Sequence, residues 1–126
     1  MAAILVVDDN DSALRFVARV LEREGHVVTA REQATDALAL FDAQPFDLVV
    51  TDLFMSGMDG LDLIRALRER APAMPIVAMS GDLSPTRSAV FKAAEASGAV
   101  RAIAKPFAVA EFRTMVRTIL EENRAA

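Results

Sequence analysis

Asp8, Asp9, Asp52, Ser80 and Lys105 are the residues of this 126-residue chain whose types and positions can do chemistry together. The groups follow short, nearly all-apolar runs: ILVV before Asp8-Asp9, LVVT before Asp52, IVAM before Ser80 and RAIA before Lys105. If those runs are parallel strands of one sheet, their ends meet at a single edge, the edge where open parallel sheets bind ligands. Three carboxylates gathered there repel strongly at the low effective dielectric of a crevice, and one lysine cannot neutralise them. A divalent cation can. An all-oxygen donor set without His or Cys selects a hard ion. Mg²⁺ fits best because it binds through one or two carboxylates, keeps waters and takes phosphate oxygens, with Mn²⁺ as the alternative. Such a metal beside a lysine and a hydroxyl suits the handling of a phosphoryl group, which depends on positioning and on neutralising the equatorial oxygens. Asp52 is the candidate nucleophile, since carboxylates form aspartyl phosphates. Lys105 would pair with phosphoryl oxygens, and Ser80 would donate a hydrogen bond.

The elements that must position these groups alternate along the chain. Ala3 to Val7 reads as a strand followed by an acidic turn. Leu14, Val17, Ala18 and Leu21 then fall on one face of a helix that Gly25 can end. His26 to Ala30 is a second strand, and Ala34, Ala37, Leu38 and Phe41 repeat the helical spacing up to Pro45. Leu48 to Asp52 is a third strand. Leu61, Ile64 and Leu67 mark a third helix with Arg65, Arg68 and Arg70 facing outward. Pro72 and Pro75 bracket the turn into Ile76 to Met79. Ser84-Pro85 reads as an N-cap with proline at the first helical position, which predicts a helix to about Ser97 and a stop at Gly98. Arg101 to Ala104 is the fifth strand, and Phe112, Met115, Val116, Ile119 and Leu120 line the last helix. Five βα units with right-handed crossovers predict an α/β fold: a flavodoxin-like, doubly wound, five-stranded parallel sheet in the order 2-1-3-4-5, with helices on both faces. A (β/α)₈ barrel would need about twice the length.

Bulk composition bounds the alternatives. The length suits one domain over residues 1–126, and 53% hydrophobic with 25% charged residues is a globular balance. No apolar stretch is long enough to span a bilayer, and MAAILVVDDN lacks a basic segment and a cleavage site, so a soluble cytoplasmic protein without membrane insertion is expected. The absence of cysteine removes disulfides, thiolate metal sites and cysteine nucleophiles. A net charge of −4 with scattered Arg and Lys argues against direct nucleic-acid binding. Taken singly, the chemical residues have plain readings: helix-capping acids, a surface lysine, a turn serine. Asp59-Gly60 reads as a turn leading into a helix, His26 as a structural residue and the third-helix arginines as a solvated face.

In combination, the Asp8-Asp9 pair, Asp52 within DLFMSGMDG, Ser80 and Lys105-Pro106 resemble, in order and spacing, the receiver domains of two-component response regulators, single-domain chemotaxis-type regulators among them. The resemblance covers essentially the whole chain. It implies Asp52 as phosphoacceptor, and Asp9, Asp52 and the Phe54 backbone carbonyl as direct Mg²⁺ ligands, with Asp8 acting through water. It further implies Ser80 as the switch hydroxyl, Lys105 as the phosphate lysine and a cis Lys105-Pro106 peptide. The donor would be a phosphohistidine on a histidine kinase or histidine phosphotransfer protein, and the output a contact with a downstream protein. Self-phosphorylation and self-dephosphorylation would be its only catalysis. Three departures stand out. Ala102 occupies the position, three before the lysine, where receivers carry Tyr or Phe; Ser56 replaces a proline; and the segment from Ser80 to Lys105 is slightly long. Phe54 cannot hydrogen-bond an attacking water, so hydrolysis is expected to depend more on Asp82.

Three other functions are weighed against this one. A non-cycling interaction scaffold is the alternative that the missing ring at Ala102 suggests. A phosphatase of the aspartyl-phosphate type would want a second acid two residues after Asp52, where Phe54 stands. A dinucleotide-binding domain would want GxGxxG after the first strand, where DDND stands.

Overall fold

A computed structural model gives the structure of the chain and describes residues 1–55, 58–81 and 87–125. Among the described residues five strands alternate with five helices: β1 Ala3–Val7, α1 Asp11–Arg23, β2 Val27–Arg31, α2 Ala34–Ala43, β3 Leu48–Asp52, α3 Gly60–Arg70, β4 Ile76–Ser80, α4 Arg87–Ser97, β5 Arg101–Ala104 and α5 Val109–Ala125. The strands form one sheet in the order β2-β1-β3-β4-β5, and every pair is parallel. This is the predicted flavodoxin-like arrangement. Register brings Val7 beside Thr51, Asp52 beside Met79 and Ser80 beside Ala104, which aligns the carboxyl ends of β1, β3, β4 and β5.

The sheet is covered on both faces, which is why β1, β3 and β4 are nearly continuous apolar runs. On one face Ile4, Val6, Leu48, Val50, Val77 and Met79 pack with Leu14, Val17 and Leu21 of α1 and Phe112, Val116 and Ile119 of α5. On the other, Leu5, Val7, Val49, Ile76 and Ala78 pack with Ala34 and Ala37 of α2, Leu63, Ile64 and Leu67 of α3 and Ala94 of α4. No helix among the described residues is long and apolar enough to cross a membrane.

Boundaries differ from the sequence expectation where polar side chains intervene. Helix α1 starts at Asp11, well before the apolar face begins at Leu14, because the Asn10 side chain accepts the Ala13 N–H at 3.0 Å and caps it. Strand β2 begins at Val27, since His26 is engaged as an acceptor for the Ala2 N–H at 3.1 Å. His26 is therefore structural, as expected. Asp59 caps α3 by accepting the Asp62 N–H at 2.9 Å, the expected turn into a helix. Arg68 corrects the expectation of a solvated arginine face. It is partly buried and its guanidinium is spent on backbone carbonyls of the residues that follow α3 and α4, because a long side chain near a helix end can turn back onto them. The Ser84-Pro85 cap and Ser56 lie outside the described residues.

Candidate functional site

Asp8 follows β1 directly, and both of its carboxylate oxygens are engaged. Oδ1 accepts the Asn10 N–H at 2.9 Å, and Oδ2 accepts from Lys105 Nζ at 2.8 Å across a separation of 97 residues. Lys105 is carried to this point by β5, whose alignment is continued by its own N–H donating to the Ser80 carbonyl at 2.7 Å. Lys105 Nζ also lies 3.4 Å from Asp52 Oδ1, within ion-pair reach but not hydrogen-bonded. Oδ1 of Asp52 is buried and accepts no hydrogen bond among the described residues.

Asp52 closes β3, and its backbone is fixed by the sheet and by its neighbours. The Leu53 N–H donates to the Met79 carbonyl at 2.9 Å, which extends the β3–β4 ladder past the carboxylate. The buried Thr51 hydroxyl donates to the Asp52 carbonyl at 3.0 Å. Gly60 lets α3 start against this strand end: a Cβ there would sit 2.5 Å from Leu53 Cα and closer still to the Asp52 carbonyl oxygen. These two positions, with Asn10, are the supporting residues that sequence reasoning missed. Thr51 within an apolar run was the available hint.

Asp8, Asp9 and Asp52 each bring a carboxylate oxygen within 4.8 Å of the others. An open cleft of about 380 Å³ lies above, lined by Asp9, Asn10, Asp52, Phe54, Gly81 and Lys105. Asp8 and Ser80 are fully buried, Asp52 nearly so, while Phe54 is half-exposed on the rim. Burial, and next the neighbouring Asp8 charge, push the Asp52 carboxyl up from 3.8 to about 6, against the pull of Lys105. Burial alone would lower the Lys105 ammonium, yet the Asp8 hydrogen bond and the charges of Asp52 and Asp8 leave its pKa raised. An acidic cluster of this spacing, with an orphaned buried oxygen and oxygen donors only, fits a hard divalent ion.

The structure thus brings together Asp8, Asp9, Asp52 and Lys105, with Ser80 at the adjacent strand end and Phe54 on the rim. The Lys105–Pro106 peptide is cis. Ala102 is partly buried on β5 and packs against the cluster that also receives Val90 and Phe91 of α4. Asp82 lies outside the described residues.

A doubly wound sheet of this order, with acids, a lysine and a hydroxyl on its carboxyl-end edge, defines the class of flavodoxin-like receiver domains. The family profile described as "Response regulator receiver domain" matches residues 4–117, and the chain belongs to that family of two-component systems. The chain is 37% identical over 115 residues to the sensory/regulatory protein RpfC of Xanthomonas campestris pv. campestris, an alignment covering 86% of this chain and 15% of that protein. It is 33% identical over 121 residues to the chemotaxis protein CheY of Pseudomonas aeruginosa, covering 94% of this chain and 95% of that one. Among solved structures, the receiver domain of NtrX from Brucella abortus superposes with a TM-score of 0.87 at 32% identity, covering 94% of this chain and 98% of that one. Vibrio cholerae CheY4 gives 0.84 at 26% identity, with the same coverage.

Proposed function

We propose that this receiver takes a phosphoryl group onto Asp52 from a phosphohistidine of a histidine kinase or phosphotransfer protein and signals through contacts with a downstream protein. The observation that carries this reading is Asp52 Oδ1, buried without a hydrogen-bond donor beside Asp8, Asp9 and Lys105. Buried polar atoms are rarely left unsatisfied, and an orphan at a ligand-binding sheet edge marks where a ligand completes the site. Two relatives support the donor class: RpfC is described as sensory and regulatory, and a 35% identical relative in Vibrio cholerae as a sensor kinase/phosphatase.

In the proposed step an Asp52 carboxylate oxygen attacks phosphorus, an O–P bond forms, the P–N bond to imidazole breaks, and the imidazole leaves with a proton. Mg²⁺, held by Asp9, Asp52 and the Phe54 carbonyl with Asp8 acting through water, would supply charge neutralisation for the transferring oxygens. Lys105 exchanges Asp8 for a phosphoryl oxygen, and the Ser80 hydroxyl donates to another. Asp8 keeps the lysine charged and aimed until then. Phe54 offers no group to an attacking water, so hydrolysis would depend more on Asp82 than on Phe54.

Incubation with acetyl phosphate and Mg²⁺, read by intact mass, tests this. The expected result is one Mg²⁺-dependent phosphoryl adduct on the wild type and none on Asp52→Asn. A wild type that gains no adduct would favour the interaction scaffold instead, the reading to which Ala102 lends support.

A further inference from the structure

Thr51 places a hydroxyl inside a fully buried strand whose preceding residues are Leu48, Val49 and Val50. A buried hydroxyl is unfavourable unless it is hydrogen-bonded, and here Oγ1 donates to the Asp52 carbonyl at 3.0 Å. Residues of a parallel strand pair alternately with its two neighbours. The Val49 and Leu53 N–H groups donate to the Pro75 and Met79 carbonyls, on the β4 side. The Asp52 carbonyl therefore faces the β1 side, one residue past Val7 and Thr51, the last pair of the β1–β3 ladder. Beyond the end of that ladder, the hydroxyl of the preceding residue supplies a donor. Gly60 approaches the same oxygen from α3 so closely that a Cβ would collide with it, which leaves the peptide no room to shift that way. The carboxylate is less restrained than its backbone. Lys105 Nζ stands 3.4 Å from Oδ1, and that buried oxygen accepts no hydrogen bond among the described residues. Where the carboxylate points thus follows from the backbone that carries it, and Thr51 is a side chain bonded to that backbone.

We propose that Thr51 is a positioning residue for the phosphoacceptor: its hydroxyl, bonded to the Asp52 carbonyl, holds the backbone in the orientation from which the carboxylate meets an incoming phosphorus. This role rests on the phosphoryl reading of Asp52 and adds to it a group that never touches the reacting atoms. Transfer requires those atoms to be aligned about 3–3.5 Å apart, and a displacement of about 1 Å can slow it about a hundredfold. Valine at this position preserves the shape of the side chain and removes the donor.

Adduct formation from acetyl phosphate and Mg²⁺, timed by intact mass on the full chain, compares wild type, Thr51→Val and Thr51→Ser. Thr51→Val should slow the adduct at least about fivefold, whereas Thr51→Ser, which keeps the hydroxyl and loses the methyl, should stay within about twofold of wild type. A packing role predicts the reverse order, because serine leaves a cavity and valine fills it. Urea unfolding of each variant shows that it is folded under the assay conditions, so that lost rate is not lost protein. Thr51→Val at the wild-type rate, or Thr51→Ser as slow as Thr51→Val, overturns the role. Should Thr51→Val fail to fold, Thr51→Ala replaces it with the same expected slowing. NMR of the wild type reads the hydrogen bond independently of the chemistry: the Thr51 hydroxyl proton should be observable and slow to exchange. A hydroxyl proton that exchanges too fast to detect overturns the anchor and the role built on it. A wild type that gains no adduct while this proton is protected overturns the phosphoryl reading and the role in transfer together, and leaves the hydrogen bond standing.

Discussion

The proposed role of Asp52 needs its carboxylate ionised, which would come at a cost to the fold. The folded carboxyl keeps its proton up to about 6 against an ordinary 3.8, with burial the first cause, so the native state binds that proton more tightly than the unfolded chain. The stability this proton provides is fully present below about pH 3.8 and is lost as pH rises to about 6. The gap between the two values corresponds to roughly 3 kcal/mol at neutral pH. In metal-free buffer, Asp52→Asn should therefore be more stable than the wild type by up to about 3 kcal/mol at pH 7.5, with the difference closing toward pH 4, as read by urea unfolding across that range. An Asn variant less stable than the wild type at pH 7.5 would count against the buried charge. His26 has the opposite sign. Burial and the neighbouring N-terminus lower its pKa, and its Nδ1 must be unprotonated to accept the Ala2 N–H. Its contribution is present above its ordinary 6.5 and lost as pH falls through the lower folded value, so His26→Gln should unfold with a shallower loss of stability on the acid side. The chemical residues were legible because each ends an apolar run, and a parallel sheet turns that one-dimensional fact into proximity. Arg68 was not legible, because outward helical spacing does not reveal that a long side chain can turn back onto the loop that follows.

At the scale of elements, the site depends on where helices begin. The apolar face of α1 marks the helix only from Leu14, but its first turn starts at Asp11 because Asn10 caps it, and the same residue's N–H fixes Asp8. Asn10→Ala should cost about 1 kcal/mol by loss of the cap, measured by chemical unfolding, with the Asp8 contact retained because it uses backbone. Gly60 is more demanding. Its missing Cβ is what admits α3 to the carbonyl of Asp52, and the obstructing atoms are backbone, which cannot rotate aside. Gly60→Ala should destabilise by about 1–3 kcal/mol and shift the Asp52 and Leu53 amide resonances, since either α3 or the end of β3 has to move. An alanine that leaves both stability and those resonances unchanged would contradict the close approach. The sequence marked Asp59-Gly60 only as a turn into a helix. The contact across seven to eight residues to β3 is a fact of packing, which turn chemistry does not encode.

The whole molecule joins these scales through the sheet. Its order was legible from five apolar runs in βα alternation, since right-handed crossovers leave few arrangements open. The direction in which the site's polar groups are paired was not, because it depends on side-chain reach: Lys105 rests on Asp8 at 2.8 Å and leaves Asp52 Oδ1 without a hydrogen bond. The fold thus sets three carboxylates against one lysine at one edge, a repulsion that a divalent ion bound there would relieve. On the proposed metal reading, metal and proton would compete for Asp52. At pH 7.5, Mg²⁺ at about ten times its dissociation constant should stabilise the wild type by about 1.4 kcal/mol, and removal with chelator should reverse this, as read by thermal unfolding. As pH falls below about 6, Asp52 takes up its proton and the same Mg²⁺ concentration should stabilise less, with the effect fading toward pH 4. Asp9→Asn should reduce the stabilisation at every pH, because it removes a carboxylate from the cluster without touching the Asp8–Lys105 pair. A Mg²⁺ effect that is the same at pH 5 and pH 7.5, or undiminished in Asp9→Asn, would place the ion somewhere other than this edge of the sheet.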